Sequence, residues 1–349
     1  MYSKEEISKL LEESWSICAP YAVKGSMHGD VAVRVYEREV ATQKPVVSVL
    51  VLAWRHERYI DECIESICEQ DVSVPFEVII GEDCSPDGTR DRCFLLQKKY
   101  SNLVRLVCSD VNVGFVENMR RIAAIARGKY IAVCEGDDFW VDKKKIEKEI
   151  AILESDENIT LIHTGAFMQY EHAKWSRCPA TNRTIRRILE TNPLSATEQR
   201  QMLLSTGNFI QTPTVMCSAK AFQFACQRIA EVGDKSGWLP SADFIWWNLC
   251  MLHGRAYFIK DNTAVRRINS GSLTAISNSK VANARIIGDI RNALFLALEE
   301  DGDRVVISNI VNRLRSAIER YYIDEKLKRC SISPLRLLLK KIVIKVIGL

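Results

Sequence analysis

The sequence predicts an α/β fold: a mostly parallel central sheet with helices on both faces, followed by a helical C-terminal extension. Three observations carry this expectation. "VVSVLVLAW" (46–54) is a continuous apolar, β-branched run, as in a strand buried on both faces. Apolar runs and helix-spaced segments then alternate from residue 46 to residue 170. One apolar run after another ends in acidic or polar residues, and ligands of parallel sheets bind beyond the carboxyl ends of the strands.

In chain order, residues 1–44 read as a helical lead-in, with a helix over roughly 4–15 and then a polar connection. The first strand leads into "RYIDECIESICEQ" (58–70), where Ile60, Cys63, Ile64, Ile67 and Cys68 fall at helical spacing. "FEVIIGED" (76–83) is a second strand, "DGTRDRCFLLQKKY" (87–100) a helix and "VRLVCSD" (104–110) a third strand. "GFVENMRRIAAIARG" (114–128) is a helix with Gly128 placed to end it. "KYIAVCEGDD" (129–138) is a fourth strand, "KKKIEKEIAILESD" (143–156) a helix and "ITLIHTGAFMQY" (159–170) a fifth strand. Beyond it the pattern weakens, and residues 171–206 are polar and mixed. "GNFIQTPTVMCSAKAF" (207–222) reads as a strand entering a helix, and "SADFIWWNLCMLHG" (241–254) as a helix with Ser241 and Asp243 at its N-terminus. "RAYFIKDNTAVRRIN" (255–269) reads as two short strands, and 280–327 as helix broken near "EDGD" (300–303). This gives three regions: 1–44; 45–275, split into 45–170 and 171–275; and 276–349.

At 349 residues and 47% apolar, the chain can bury a sizeable core and is not disordered as a whole. Its twelve cysteines include no CxxC pair, which argues against a zinc ribbon or a thioredoxin-like site and for free thiols in a reducing cytoplasm. "MYSKEEISKLLEESW" lacks a signal-peptide apolar region, and no run reaches transmembrane length. A cytoplasmic protein is expected. The net charge of +4 is uneven. Residues 326–349 hold seven Lys or Arg and no acid, which leaves 41 basic against 44 acidic residues elsewhere. A basic body for nucleic acid is thereby disfavoured. The tail "SPLRLLLKKIVIKVIGL", as a helix, gathers Leu335, Leu338, Leu339, Ile342 and Val346 on one side, with Arg336, Lys340, Lys341 and Lys345 broadly opposite. That is the pattern of a peripheral anchor on the inner face of an anionic membrane; the alternative is docking on the core.

"CEGDDFW" poses the central problem, because Glu135, Asp137 and Asp138 crowd three carboxylates into four positions at the end of an apolar run. Like charges repel, and desolvating them is costly. A hard divalent cation, Mg²⁺ or Mn²⁺, resolves the conflict and bridges to a diphosphate. The alternative is a solvated acidic turn, which the following Phe139-Trp140 makes less convincing. In "GEDCSPDGT", Asp87 or Thr89 can cap the next helix, and Asp83 can accept a ring N–H of a nucleobase. His163 and His253 lack partners at metal spacing and read as structural.

Taken together, "VSVLVLAW", "RHERYIDECIESICEQ", "FEVIIGEDCSPDGT", "NVGFVEN" and "GKYIAVCEGDDFW" resemble the family 2 glycosyltransferases of GT-A fold. The resemblance runs from residue 46 to about 170 and continues more weakly to about 275. The look-alikes are bacterial enzymes that build capsule or lipopolysaccharide chains. The resemblance implies inverting, metal-dependent transfer from a nucleotide-sugar, UDP-linked above all, to a glycan or lipid-linked acceptor. It implies that Ala53, Trp54 and Glu57 line the nucleotide pocket, Asp83 binds the base, and Asp137 reaches the ribose or the metal shell. It makes Asp138 a metal ligand, puts Glu135 first in the acidic element, and makes Asp243 the general base. In "VRRINSGSLTA", Arg267 would contact the diphosphate, while Asn269 stands where His is commoner. Trp54-Arg55 likewise replaces the usual Tyr-Asn. Two other classes compete: a non-catalytic sugar-nucleotide-binding scaffold, and a nucleotidyltransferase. The second is disfavoured because "AWRHERY" has no glycine for a phosphate loop.

Overall fold

The computed structural model describes residues 2–21, 33–37, 43–170, 173–177, 183–191, 194–236, 239–269, 279–299 and 304–329. The chain divides into a sheet-containing unit, 23–235 with 241–275, and a helical unit, 1–22 with 236–240 and 276–349. Helix α1 (Lys4–Cys18) belongs to the helical unit.

The first described strand of the larger unit is β1 (Val33–Tyr36), inside the stretch read from the sequence as a polar connection. The alternation then follows the sequence pattern: β2 (Val47–Ala53), α2 (Ile60–Cys68), β3 (Phe76–Glu82), α3 (Thr89–Lys99), β4 (Val104–Ser109), α4 (Phe115–Ala124) and β5 (Tyr130–Glu135). Next come β6 (Phe139–Trp140), α5 (Lys145–Ser155), β7 (Ile159–Tyr170), β8 (Ser176–Arg177), α6 (Arg183–Thr191) and α7 (Ala196–Thr206). The unit ends with β9 (Met216–Ser218), α8 (Ala219–Ser236), α9 (Ala242–Cys250) and β10 (Arg255–Ile268).

The strands form one sheet in the order β1-β4-β3-β2-β5-β9-β7-β10-β6, with β8 beside β7. Strands β4, β3, β2 and β5 pair in parallel, as do β7 and β10. The three-residue β9 is antiparallel to both β5 and β7, so these two strands run the same way. Every residue of β2 is buried, as its unbroken apolar run requires of a central strand. The expected pair of short strands over 255–269 is instead one long strand. Its register against β7 shifts at three places, and the two between Ile259 and Ala264 absorb the polar "KDNT" without ending the pairing.

One buried charge network braces the amino ends of the central strands. Glu77 on β3 accepts from the Ser48 hydroxyl at 2.7 Å, the Arg127 amide at 2.8 Å and the Arg105 guanidinium at 3.1 Å. Burial opposes the charge, but the hydrogen bonds from Ser48 and Arg127 outweigh it and hold the carboxyl below its ordinary range.

In the helical unit, α1 packs on α10 (Ser279–Glu299) and α11 (Arg304–Arg329), with Ile17, Leu294 and Leu314 in its core. Ser3 and Glu6 form a capping box at the start of α1. The break expected near 300–303 and the basic tail 333–349 lie outside the described residues.

Glu77→Ala leaves Arg105 buried beside a lost carboxylate. It should destabilise the chain by about 2–4 kcal/mol. Thermal melting checks this, and a midpoint within a degree of wild type would show that the network carries no weight.

Candidate active site

Register brings the ends of four strands into line. Ala53 pairs with Glu82, Glu82 with Cys108, and Leu52 with Glu135. The loops beyond them are sewn together. The Arg55 amide donates to the Ser85 hydroxyl at 3.2 Å, the His56 amide to Thr89 Oγ1 at 2.8 Å, and the Gly88 amide to Glu57 Oε2 at 3.1 Å. Arg55 and Cys84 take positive φ angles of 62° and 55°, strain tolerated where a chain must turn sharply at a strand end. Trp54 is 43% exposed, with the Arg55 guanidinium 5.2 Å from its ring centre.

Asp83 is buried, and both its oxygens are engaged. Oδ1 accepts from the Val113 amide at 2.7 Å and Oδ2 from the Gly114 amide at 2.9 Å. The carboxylate thus fixes the turn into α4, where Gly114 has a φ of 82° that suits glycine. Burial still pushes the Asp83 carboxyl upward against those two bonds.

The acidic element turns tightly at the end of β5. The Gly136 amide donates to Leu52 O at 2.8 Å and the Asp138 amide to Glu135 O at 2.9 Å. A Cβ on Gly136 would lie 2.6 Å from His56 Nδ1 and 2.9 Å from Leu52 O, so only glycine fits this turn. The turn brings one carboxylate oxygen from each of Glu135, Asp137 and Asp138 within 4.8 Å of one another. Asp138 is 1% exposed; its Oδ1 accepts from the Arg267 amide at 2.8 Å, and its buried Oδ2 has no hydrogen-bond partner. Burial, then the charges of Asp137 and Glu135, push Asp138 well above the usual carboxylate range. Burial and Asp137 push Glu135 up to about 8, with Arg266 opposing and Asp243 adding to the rise. An orphaned buried oxygen within three hard oxygen donors fits a divalent cation.

Arg267 lies beneath this cluster and is 8% exposed. Its guanidinium donates to Asp137 O at 2.9 Å and Gln169 Oε1 at 3.2 Å, pairs with Glu62, and stacks 4.2 Å from the Phe139 ring centre. Asn269 donates to Asp137 Oδ2 at 3.0 Å. Asp243 sits in the first turn of α9, where its Oδ2 accepts from Asn208 Nδ2 at 2.7 Å. Trp246 and Trp247 are buried against Phe222 and belong to the core. His163 is buried between Phe209 and Phe258, and burial lowers its pKa to about 3.

Three contributors to the site had no signature in the sequence. His56 faces the cluster with Nε2 3.7 Å from Asp137 Oδ1, Glu62 meets Arg267 from α2, and Asn208 meets Asp243. His56 lies inside the quoted loop "AWRHERY", but nothing in its spacing marks its orientation.

Comparison with known proteins agrees with this architecture. TuaG of Bacillus subtilis, provisionally named a teichuronic acid biosynthesis glycosyltransferase, is 34% identical over 113 residues, covering 32% of this chain and 42% of that protein. The chain spans less than half the length of the curated relatives it matches, 46% of one and 42% of TuaG. The structure of S. aureus TarS 1-349 with UDP-GlcNAc superposes with a TM-score of 0.52 at 17% identity, covering 77% of this chain and 72% of that one. The mannosyltransferase PcManGT of Pyrobaculum calidifontis, with GDP-Man and Mn²⁺, gives a TM-score of 0.52 at 14% identity, covering 97% and 91%. At such identities the likeness shows the fold. The sequence model for "Glycosyl transferase family 2" matches residues 48–223, half of this chain, and with the sheet and strand-end motifs described above the conclusion is direct: the chain belongs to glycosyl transferase family 2.

Proposed function

We propose that the protein is an inverting, metal-dependent glycosyltransferase that moves a sugar from a nucleoside-diphosphate donor to a hydroxyl of a glycan or lipid-linked acceptor. One observation carries this reading: the convergence of Glu135, Asp137 and Asp138 at the carboxyl edge of the sheet, with a buried Asp138 oxygen left without a partner. UDP is the nucleotide to test first, on the resemblance of the motifs and the TarS ligand; the GDP-Man of PcManGT makes guanosine the comparison.

Asp138, Asp137 and Glu135 would hold Mn²⁺ or Mg²⁺. When bound, such an ion supplies positive charge against the departing diphosphate. The chain's own residues do the remainder. Ala53, Trp54 and Glu57 wall the nucleotide at the strand ends, where Trp54 is exposed. Asp83 serves the same pocket by holding the Val113 and Gly114 amides in place. Arg267 holds Asp137 and Asp138 from below and acts on the diphosphate through them. Asp243 takes the proton from the acceptor hydroxyl as that oxygen attacks the anomeric carbon. The bond to the diphosphate breaks on the opposite face, and the configuration inverts.

The acceptor would belong to surface-polysaccharide synthesis, as the name of TuaG suggests for that relative. Among the described residues no helix is long and apolar enough to cross a membrane. Membrane contact at the cytoplasmic face would fall to the basic tail.

Nucleotide release from UDP-GlcNAc and GDP-Man, with and without Mn²⁺, tests the reading. Asp138→Ala should lower both turnover and Mn²⁺ affinity by about 100-fold or more. Asp243→Asn should lower kcat by about 100- to 10,000-fold with donor KM little changed. Full activity in Asp138→Ala would sink the metal assignment. The raised Glu135 gives a separate check. It titrates near 8 in the folded chain against an ordinary 4.5, so between these values the folded chain binds more protons than the unfolded one. Stability of the metal-free protein therefore falls as pH rises through that window. Glu135→Gln removes this fall and should raise the melting midpoint by about 3–6 °C at pH 8 with little change at pH 5. A midpoint unchanged at pH 8 would contradict the burial of that charge.

A further inference from the structure

We propose that Asn208 is the positioning residue for Asp243: its side-chain N–H fixes the carboxylate that takes the proton from the acceptor hydroxyl. The inference rests on Asp243 as base and extends it to a residue that acts through that carboxylate.

Three observations support it. The contact is short, with Asn208 Nδ2 2.7 Å from Asp243 Oδ2, in the range of a hydrogen bond to a charged acceptor. The amide has only one usable orientation, because Asn208 Oδ1 already accepts from the Ile210 amide at 3.1 Å. Turning the amide over would set an N–H against that N–H and an oxygen against the carboxylate. Asn208 therefore meets Asp243 as a donor, and only an acceptor satisfies it.

The third observation is where Asn208 is anchored. The segment that follows it is clamped to the elements carrying the acidic cluster. Trp140 Nε1 donates to Pro213 O at 3.0 Å, Lys145 Nζ to Thr214 O at 3.4 Å and the Val133 amide to Val215 O at 3.2 Å. Arg266, next to the residue that binds Asp138, donates to Gln211 Oε1 at 2.9 Å. Asp243 sits on a helix whose N-cap residue, Ser241, makes no side-chain capping bond. Asn208 thus fixes the base with respect to the strand that carries the metal ligands, and the separation of the two is the quantity that in-line transfer depends on.

The test uses the full chain with Mn²⁺ and UDP-GlcNAc or GDP-Man, following nucleotide release, and compares Asn208→Ala with Asn208→Asp. Asp keeps the shape of Asn but replaces the donor with a second carboxylate. If Asn208 orients the base, Asn208→Ala should lower kcat by about 10- to 100-fold and Asn208→Asp by more, with donor KM and Mn²⁺ affinity within about 2-fold of wild type. If Asn208 only fills space, the isosteric Asp is the milder change, and that order overturns the proposal. Equal loss in kcat, donor KM and Mn²⁺ affinity, with a lowered melting midpoint, overturns it too. Asp243→Asn with wild-type turnover removes the base itself and this inference with it, whereas an inactive Asp243→Asn beside fully active Asn208 variants removes the inference alone. Wild-type protein that releases no nucleotide from either donor overturns the proposed function and the inference together.

Discussion

The mutual repulsion of Glu135, Asp137 and Asp138 is the constraint around which the rest of the sheet edge is arranged. Three carboxylates in partly or fully dry surroundings cannot all stay charged without compensation. Among the described residues the compensation is partial: one backbone amide reaches Asp138, the Asn269 side chain and, at 3.7 Å, His56 approach Asp137, Arg266 opposes the rise of Glu135, and the Arg267 guanidinium reaches the Asp137 carbonyl rather than a carboxylate of the cluster. The turn at Gly136 then removes the easiest escape, because it fixes the spacing of the acids against β2.

The opposite end of the same strands shows what full compensation looks like. Glu77 is as deeply placed as the acids of the cluster, yet Ser48, Arg105 and Arg127 surround it, and its carboxyl lies below the ordinary range. At the carboxyl end the shifts run the other way, to about 8 for Glu135 and well upward for Asp138. One sheet thus holds a satisfied buried acid at one edge and under-satisfied ones at the other. Burial alone does not separate structure from function here; the supply of partners does.

Much of this was legible in the sequence, and what was missed shares a cause. The strands from 46 to 170 could be read because each is a local apolar run with its own helix, and the acid pairs could be read because they are contiguous. The four-residue β1 was not legible, since its only reason to be a strand is the free edge of β4, more than 65 residues later. Strand β10 looked like two strands because "KDNT" breaks the apolar pattern, and only the bulged pairing with β7 carries the chain across it. Side-chain roles were hidden in the same way. Arg267 reads as a phosphate contact until Glu62, Gln169 and Phe139 are seen around it, and Asn208 carries no mark at all until α9 places Asp243 beside it.

The pairing of β6 with β10 bears on the order in which the site comes into being. Phe139 and Trp140, directly after the acids, pair with Val265 and Ala264, and Asp138 takes its amide from Arg267, 129 positions downstream. The strands that end in the acids are local and can form while the chain is still growing. The pocket around Asp138 waits for the last strand of the sheet to emerge and dock. Loop closure of that span is entropically costly and slow compared with the helices and parallel pairs before it. A nascent chain that has made its acidic motif therefore still lacks the Arg267 amide that Asp138 accepts from, and the surroundings of the three acids are completed near the end of synthesis of this unit.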